Sequence, residues 1–329
     1  MQMLRSLAMT AGLATMLWAT TAQARHYTFT ALGTQPGAAE GGGVNARGEA
    51  AWTITSTDGS VLDVAVWRYH RVTDIGIGGA MGLNDAGQIA GFVNTPELSR
   101  HAAVWLDGKT LTDLGTLGGT WAMANAINNR GVVVGIYEDS NLEWHGFRWQ
   151  DGNYVALAGN IPGSTEAQGI NDRGDIVGYA PVAPGVSHAA LWRDGNVYDL
   201  GALDSTLSQA FAINNYGVVV GNYFPPPGRS APFVWERGTM KALPTLAGEG
   251  TAYAVSDCGA IVGESSSDPT QPRHQRAVLW DNGRVIDLQP YAPADWQLFM
   301  ASAINERGQI FGWGTHDNQF GAFLLTPAD

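Results

Sequence analysis

Three carboxylates and a few aromatic and basic side chains are the groups in this chain that could do chemistry. Glu166, Glu249 and Asp295 each open, or stand just before, an apolar strand-like run. If those run starts converged, the trio could serve a hydrolase or lyase, because glycoside hydrolysis needs paired carboxyl groups within roughly 10 Å. Trp121, Trp144 and Trp296, with Arg229 and His274, fall in variable segments between runs. Aromatic faces beside charged groups suit a polar ligand such as a glycan or a peptide. No Gly-x-Ser-x-Gly, His-Glu-x-x-His or phosphate loop occurs. Non-catalytic binding is therefore the expectation, with the carboxylate trio as its alternative.

Other candidates have simpler readings. His101, His145 and His188 occupy equivalent places in successive segments, so a repeating fold spreads them apart and predicts hydrogen-bonding roles for them. Asn171-Asp172-Arg173-Gly174-Asp175 faintly resembles a calcium loop but lacks the alternating acidic ligands and the distal glutamate. Cys258 is the single cysteine, which excludes an internal disulfide, and it lies in a turn without a flanking base to activate it. Neither a metal nor a cofactor is expected.

The elements that must position these groups come from one motif. Asn128-Asn129-Arg130-Gly131 is an Asn-x-x-Gly turn between two apolar runs. Its Asn recurs as Asn45, Asn84, Asn171, Asn214, Ser256 and Asn305, each followed three residues later by Gly. An Asn side chain bonds to the backbone two residues on, and Gly takes the left-handed conformation, so the motif predicts a tight turn. Around it each repeat supplies four strands, which we letter a to d. In the third repeat they are Met123 to Asn128, Val132 to Tyr137, Trp144 to Trp149 and Tyr154 to Ala158. Asp151-Gly152 between the last two is a hairpin turn. Strand c ends in Trp67, Trp105, Trp149, Trp192, Trp235 and Trp280, with Leu325 in the last copy. Recurrence at one place predicts packing between neighbours for these tryptophans, with each N–H bonded nearby.

Four short strands in about 43 residues match a propeller blade. The chain opens on a lone strand d (Tyr27–Gly33) and ends on a strand c (Gly321–Leu325). Pairing the two completes the last blade. The expected fold is all-β: a closed seven-bladed β-propeller of four-stranded blades, spanning 25–329 as one unit. The stretches 101–105 (HAAVW), 112–119 (TDLGTLGG) and 125–135 (NAINNRGVVVG) resemble the bacterial extracellular repeats called HAF repeats. That resemblance covers essentially the whole chain after residue 24 and fades in the first copy, where Ala51-Trp52 replace the Val-Gly ending. It implies an exported bacterial protein, and it implies no reaction.

Antiparallel strands put the a–b and c–d turns on one face and the longer b–c and d–a connections on the other. The segments 94–100, 138–143, 181–187, 225–230, 264–275 and 289–296 belong to that long-loop face. Loops on a rigid scaffold carry function more often than the scaffold does, so a ligand is expected there. Arg273 and Glu143 belong to the same face. The innermost strands carry many small residues, which predicts close packing around the axis.

Residues 1–24 read as a signal peptide. Arg5 gives the positive end, Ser6 to Thr21 is apolar, and Ala22-Gln23-Ala24 is the cleavage site. Export to the periplasm or beyond is expected, without later membrane insertion. A formal charge of −12 with only two lysines, Lys109 and Lys241, excludes a phosphate-binding surface, hence nucleic acid. The expected partner is a glycan or an envelope or extracellular protein, bound by a monomer.

Overall fold

The computed structural model describes residues 26–35, 37, 41–56, 62–97, 99–107, 109–271 and 274–328. The expected signal peptide, the cleavage site and Arg273 lie outside them. Seven four-stranded antiparallel sheets follow one another along the chain, and the seventh takes its outermost strand from the opposite end. The fold is the closed seven-bladed propeller that the repeats predict.

Local chemistry builds each blade. Asn128 Oδ1 accepts the N–H groups of Arg130 and Val132, both at 3.0 Å. Gly131 at φ 73° completes the turn, a backbone conformation that costs a side-chain-bearing residue about 1 kcal/mol or more. At the c–d turn Asp151 and Gly152 both have positive φ, as a two-residue hairpin turn between right-twisted strands requires.

The strand Tyr27–Gln35 pairs antiparallel with Gln319–Pro327, from Tyr27 opposite Pro327 to Gln35 opposite Phe320. Both strands run longer than the sequence motif suggests. Pro181–Ser187 is also mostly strand: the runs Ile176–Ala183 and Val186–Arg193 leave only Pro184-Gly185 as a turn, because Pro181 pairs with Ser187 across the hairpin.

The core consists of seven apolar wedges, one at each interface between blades. The wedge that closes the ring joins Phe311, Trp313 and Leu324 of the seventh blade to Val44, Trp52 and Ala65 of the first. Trp105, Trp149, Trp192 and Trp280 are buried in such wedges, whereas Trp67 and Trp235 are half-buried. Two of their N–H groups reach back to the preceding connection: Trp192 Nε1 donates to Ala158 O (2.8 Å) and Trp280 Nε1 to Pro244 O (2.6 Å).

One feature of strand b explains how closely the inner strands sit. Gly91, Gly135, Gly178, Gly221, Gly263 and Gly312 each lie against a carbonyl of strand a, near enough that a Cβ would fall 1.8–2.3 Å from the oxygen. The first blade has Trp52 in that place, and its innermost strand is paired over Gly43–Val44 alone. A side chain where the other blades have none leaves no room for the inner strand to continue alongside. The fading of the repeat at Ala51-Trp52 thus has a structural counterpart.

Candidate functional site

Around the axis, the Asn turns are joined to one another. Asn45 Nδ2 donates to Asn84 O, Asn84 to Asn128 O, Asn128 to Asn171 O, Asn171 to Asn214 O and Asn214 to Ser256 O, at 2.9–3.1 Å. Asn305 Nδ2 donates to Asn45 O at 2.7 Å and carries the belt across the closure. Ser256 has no amide to offer, and its hydroxyl turns to Ala260 O and Cys258 Sγ. These asparagines are buried, so each amide exchanges water for a carbonyl of the next blade.

The residue after each Asn forms a second ring. Asp85, Asn129, Asp172, Asn215, Asp257 and Glu306 each accept the N–H of the equivalent residue in the preceding blade, at 2.7–2.9 Å. Asn129 and Asn215 also donate to the carboxylates on either side of them. The two rings line a cavity of about 420 Å³ at the axial mouth on the Asn-turn face. Burial raises the Glu306 carboxyl, with the negative charges of Asp257, Asp85 and Asp172 adding to it against the Asp257 N–H. The mouth is therefore polar and electronegative, which disfavours anions.

Deeper along the wall, strand a has an extra residue relative to strand b in six blades, shown by register shifts at Met81, Asn125, Gln168, Phe211, Tyr253 and Ser302, with a second shift at Phe299 in the last blade. Two blades carry carboxylates beside such positions. Tyr179 Oη and Gln168 Nε2 donate to Glu166 at 2.7 and 2.9 Å. Tyr253 Oη donates to Glu264 at 3.0 Å. Burial raises the Glu264 carboxyl, and the Tyr253 hydroxyl only partly offsets it. The expectation of a wall of small residues is thus corrected: larger side chains, both apolar (Met81, Phe211) and polar (Asn125, Gln168, Tyr253), stand among the alanines there. Glu264, which the sequence places at the start of the long loop 264–275, lies instead inside the strand Ile261–Ser266, and a signal for it exists. It is the only carboxylate at the place after the strand-b glycine, where the other blades have Phe92, Ile136, Tyr179, Asn222 and Trp313, and Thr53 follows Trp52.

Because folding raises the Glu264 carboxyl, its ionisation opposes folding. Its contribution favours the fold below the carboxyl's ordinary range and is lost as pH rises through the folded value. Glu264→Gln is expected to raise the melting temperature at pH 7, with the gain fading towards pH 4. Thermal melts of both proteins across that range check this.

Glu166, Glu249 and Asp295 belong to three different blades and have three different partners. Glu166 is held by Tyr179 and Gln168, Glu249 faces Arg229 Nη1 at 3.4 Å, and Asp295 faces His316 Nε2 at 3.0 Å. None of the three bonds to another. The histidines also stay apart: His101 pairs with Asp113, His188 with Asp199 and His145 with Asp139. Their partners are carboxylates, in two cases on the outermost strand rather than in a loop.

The long-loop face brings together Trp121 and Trp144, whose rings meet edge to face at 4.9 Å. Both are half-buried. The Arg100 guanidinium lies 3.9 Å from the Phe92 ring and 5.4 Å from that of Trp121. Backbone bonds fix this corner, with Arg100 N–H donating to Thr120 O and Glu138 N–H to Trp121 O. Arg229 sits elsewhere on the face in its ion pair, and His274 is exposed, its carbonyl accepting from Ser267. Trp296 leaves the set of candidate contact residues. It is 5% exposed, with Phe29 of the first strand at 5.0 Å on one side and His316 stacked at 5.4 Å on the other. The strand that closes the ring covers it.

No protein-family model and no curated protein matches the chain. Solved propellers do. The β-propeller domain of the trilobed protease from Pyrococcus furiosus, described as having an open velcro topology, aligns at TM-score 0.56 and 9% identity over 88% of this chain and 95% of that one. YCF48 bound to D1 peptide aligns at TM-score 0.53 and 10% identity, over 92% and 96%. TolB from Acinetobacter baumannii aligns at TM-score 0.51 and 10% identity over 85% of this chain, which spans 64% of the TolB length. At such identities the likeness is one of fold.

Proposed function

We propose that this chain is an exported, non-catalytic propeller that binds a glycan or protein partner through its long-loop face, with Trp121 and Trp144 at the centre of the contact. The observation that carries this reading is the edge-to-face tryptophan pair beside Arg100, half-exposed and fixed by backbone bonds. A rigid aromatic surface loses little conformational entropy on binding, and an adjacent guanidinium adds a polar anchor. The peptide-bound state of YCF48 supports a propeller of this size as a binding platform. Export rests on residues 1–24 and on the likeness to HAF repeats. Among the described residues no helix is long and apolar enough to cross a membrane.

Glycan arrays and pull-downs from the envelope fraction test the proposal. Wild-type protein is expected to give a saturable signal, and the Trp121→Ala/Trp144→Ala double variant to weaken it about tenfold or more, as loss of a central aromatic contact does. Unaltered binding by the double variant, or turnover of a substrate without any binding partner, would overturn it.

A further inference from the structure

The geometry points to a divalent transition-metal site on the third blade, formed by Asp139, Glu143 and His145, and we propose Zn²⁺ as the ion that it takes. One ligand atom from each of the three residues lies within 4.8 Å of the others. His145 Nε2 and Asp139 Oδ2 are already 3.1 Å apart. A tetrahedral Zn²⁺ with ligands at about 2.0–2.1 Å spaces neighbouring donors about 3.3 Å apart, so this pair needs almost no rearrangement. Glu143 is exposed on the same loop, and its carboxylate has to close a gap of at most about 1.5 Å to join the pair.

Comparison between blades shows why this histidine differs from its counterparts. His101 and His188 turn to Asp113 and Asp199 on the outermost strand, which pair with Ala103 and Ala190. In the third blade the matching residue, opposite Phe147, is Ala156. His145 has lost the usual carboxylate and faces instead a loop that supplies two. Within that loop, Asp139 Oδ1 is occupied by the N–H groups of Asn141 and Glu143 at 2.8 and 3.0 Å. This fixes the carboxylate and leaves Oδ2 towards His145. Among the described residues its other hydrogen-bond contact is Asn141 Nδ2 at 3.5 Å, the outer limit of a hydrogen bond. The Tyr137 ring, 5.3 Å from the imidazole, limits how far His145 can swing.

One imidazole and two carboxylates form a donor set for a borderline divalent ion, with water completing the shell. Calcium requires six to eight oxygen ligands, and nitrogen in the set counts against it. Trp144 stands between Glu143 and His145 in the chain, so its fluorescence provides a local readout. The site flanks Trp144 of the proposed contact, and Zn²⁺ uptake is measured without any partner, so the two readings are tested separately.

Calorimetric titration of the full chain with Zn²⁺ alone, followed in parallel by tryptophan emission, tests the site. One equivalent per chain is expected. His145→Ala and Glu143→Gln should each weaken it by about tenfold or more, a loss at least as large as that from changing an outer-shell partner. His188→Ala should leave it unchanged. Glu143 is exposed, so Glu143→Gln is read on a folded protein even if another variant is less stable. Absence of saturable uptake, uptake unaffected by both His145→Ala and Glu143→Gln, or a preference for Ca²⁺ over Zn²⁺ would overturn the assignment.

Discussion

Gly178→Ala is expected to destabilise the fold more than any turn substitution, by about 4 kcal/mol, lowering the melting temperature by about 10 °C. The added Cβ would lie 1.8 Å from Glu166 O, 2.8 Å from Glu166 C and 3.1 Å from Ala167 Cα. All three are backbone atoms of the innermost strand, held in the ladder on one side and against the neighbouring blade on the other. No rotamer change relieves the clash, so strands a and b must separate. The turn glycine of the same blade gives the contrast. Gly174 has φ 93°, and a Cβ there would approach only the end of the Arg130 side chain. Gly174→Ala should cost about 1–2 kcal/mol, the price of a left-handed non-glycine residue. Parallel thermal melts decide. Equal losses for the two variants, or a smaller loss for Gly178→Ala, would remove the close inner packing from this account.

Asn128→Asp is expected to cost about 3 kcal/mol at pH 7 and much less at pH 4. The substitution keeps the oxygen that accepts the Arg130 and Val132 N–H groups, so the turn itself survives. It replaces the amide that donates to Asn171 O at 3.0 Å with a second oxygen. At neutral pH a buried negative charge then faces a carbonyl, close to a ring that already holds Asp85 and Asp172. In acid the carboxyl is protonated and can donate again, which restores the bond. A melting temperature of Asn128→Asp equal to that of the wild type at pH 7 would mean that the belt contributes nothing to holding blades together. Unlike Gly178→Ala, which acts within one blade, this change loosens the junction between two.

The fold was legible because its determinants are local and recur. A side-chain acceptor two residues from its donor, a glycine at positive φ and a two-residue hairpin turn can all be read within ten residues. The unpaired strand at each end then dictates closure. The belt was not legible for the opposite reason. The Asn128 Nδ2 bond to Asn171 O spans 43 residues, and only the packed ring brings the two together. The motif showed one use of the asparagine, and the structure adds a second.

The candidate site was legible in part. Trp121 and Trp144 fall in variable segments and do meet, because one stands just before strand a and the other starts strand c of the same blade. Trp296 starts strand a of the last blade in the same way, but the outer strand there comes from the beginning of the chain, and Phe29 covers the ring. The Asn-turn face, which the repeats mark as structural, holds a polar axial cavity lined by the asparagines and by the variable residue after each of them. Its side chains are largely engaged in bonds between blades, which agrees with a structural role.

The central proposal is a division of labour: the Asn-turn face holds the ring together, and the long-loop face is the proposed binding surface. The most direct test compares partner binding by the wild type with that of two folded variants, one on each face. Trp121→Ala/Trp144→Ala alters the loop face, and Asp172→Asn/Glu306→Gln neutralises two carboxylates of the axial mouth. On a glycan array and in envelope pull-downs, the account predicts that binding is lost with the tryptophans and kept with the neutralised mouth. Binding that survives loss of both tryptophans and disappears with Asp172→Asn/Glu306→Gln would contradict it and move the site to the axis.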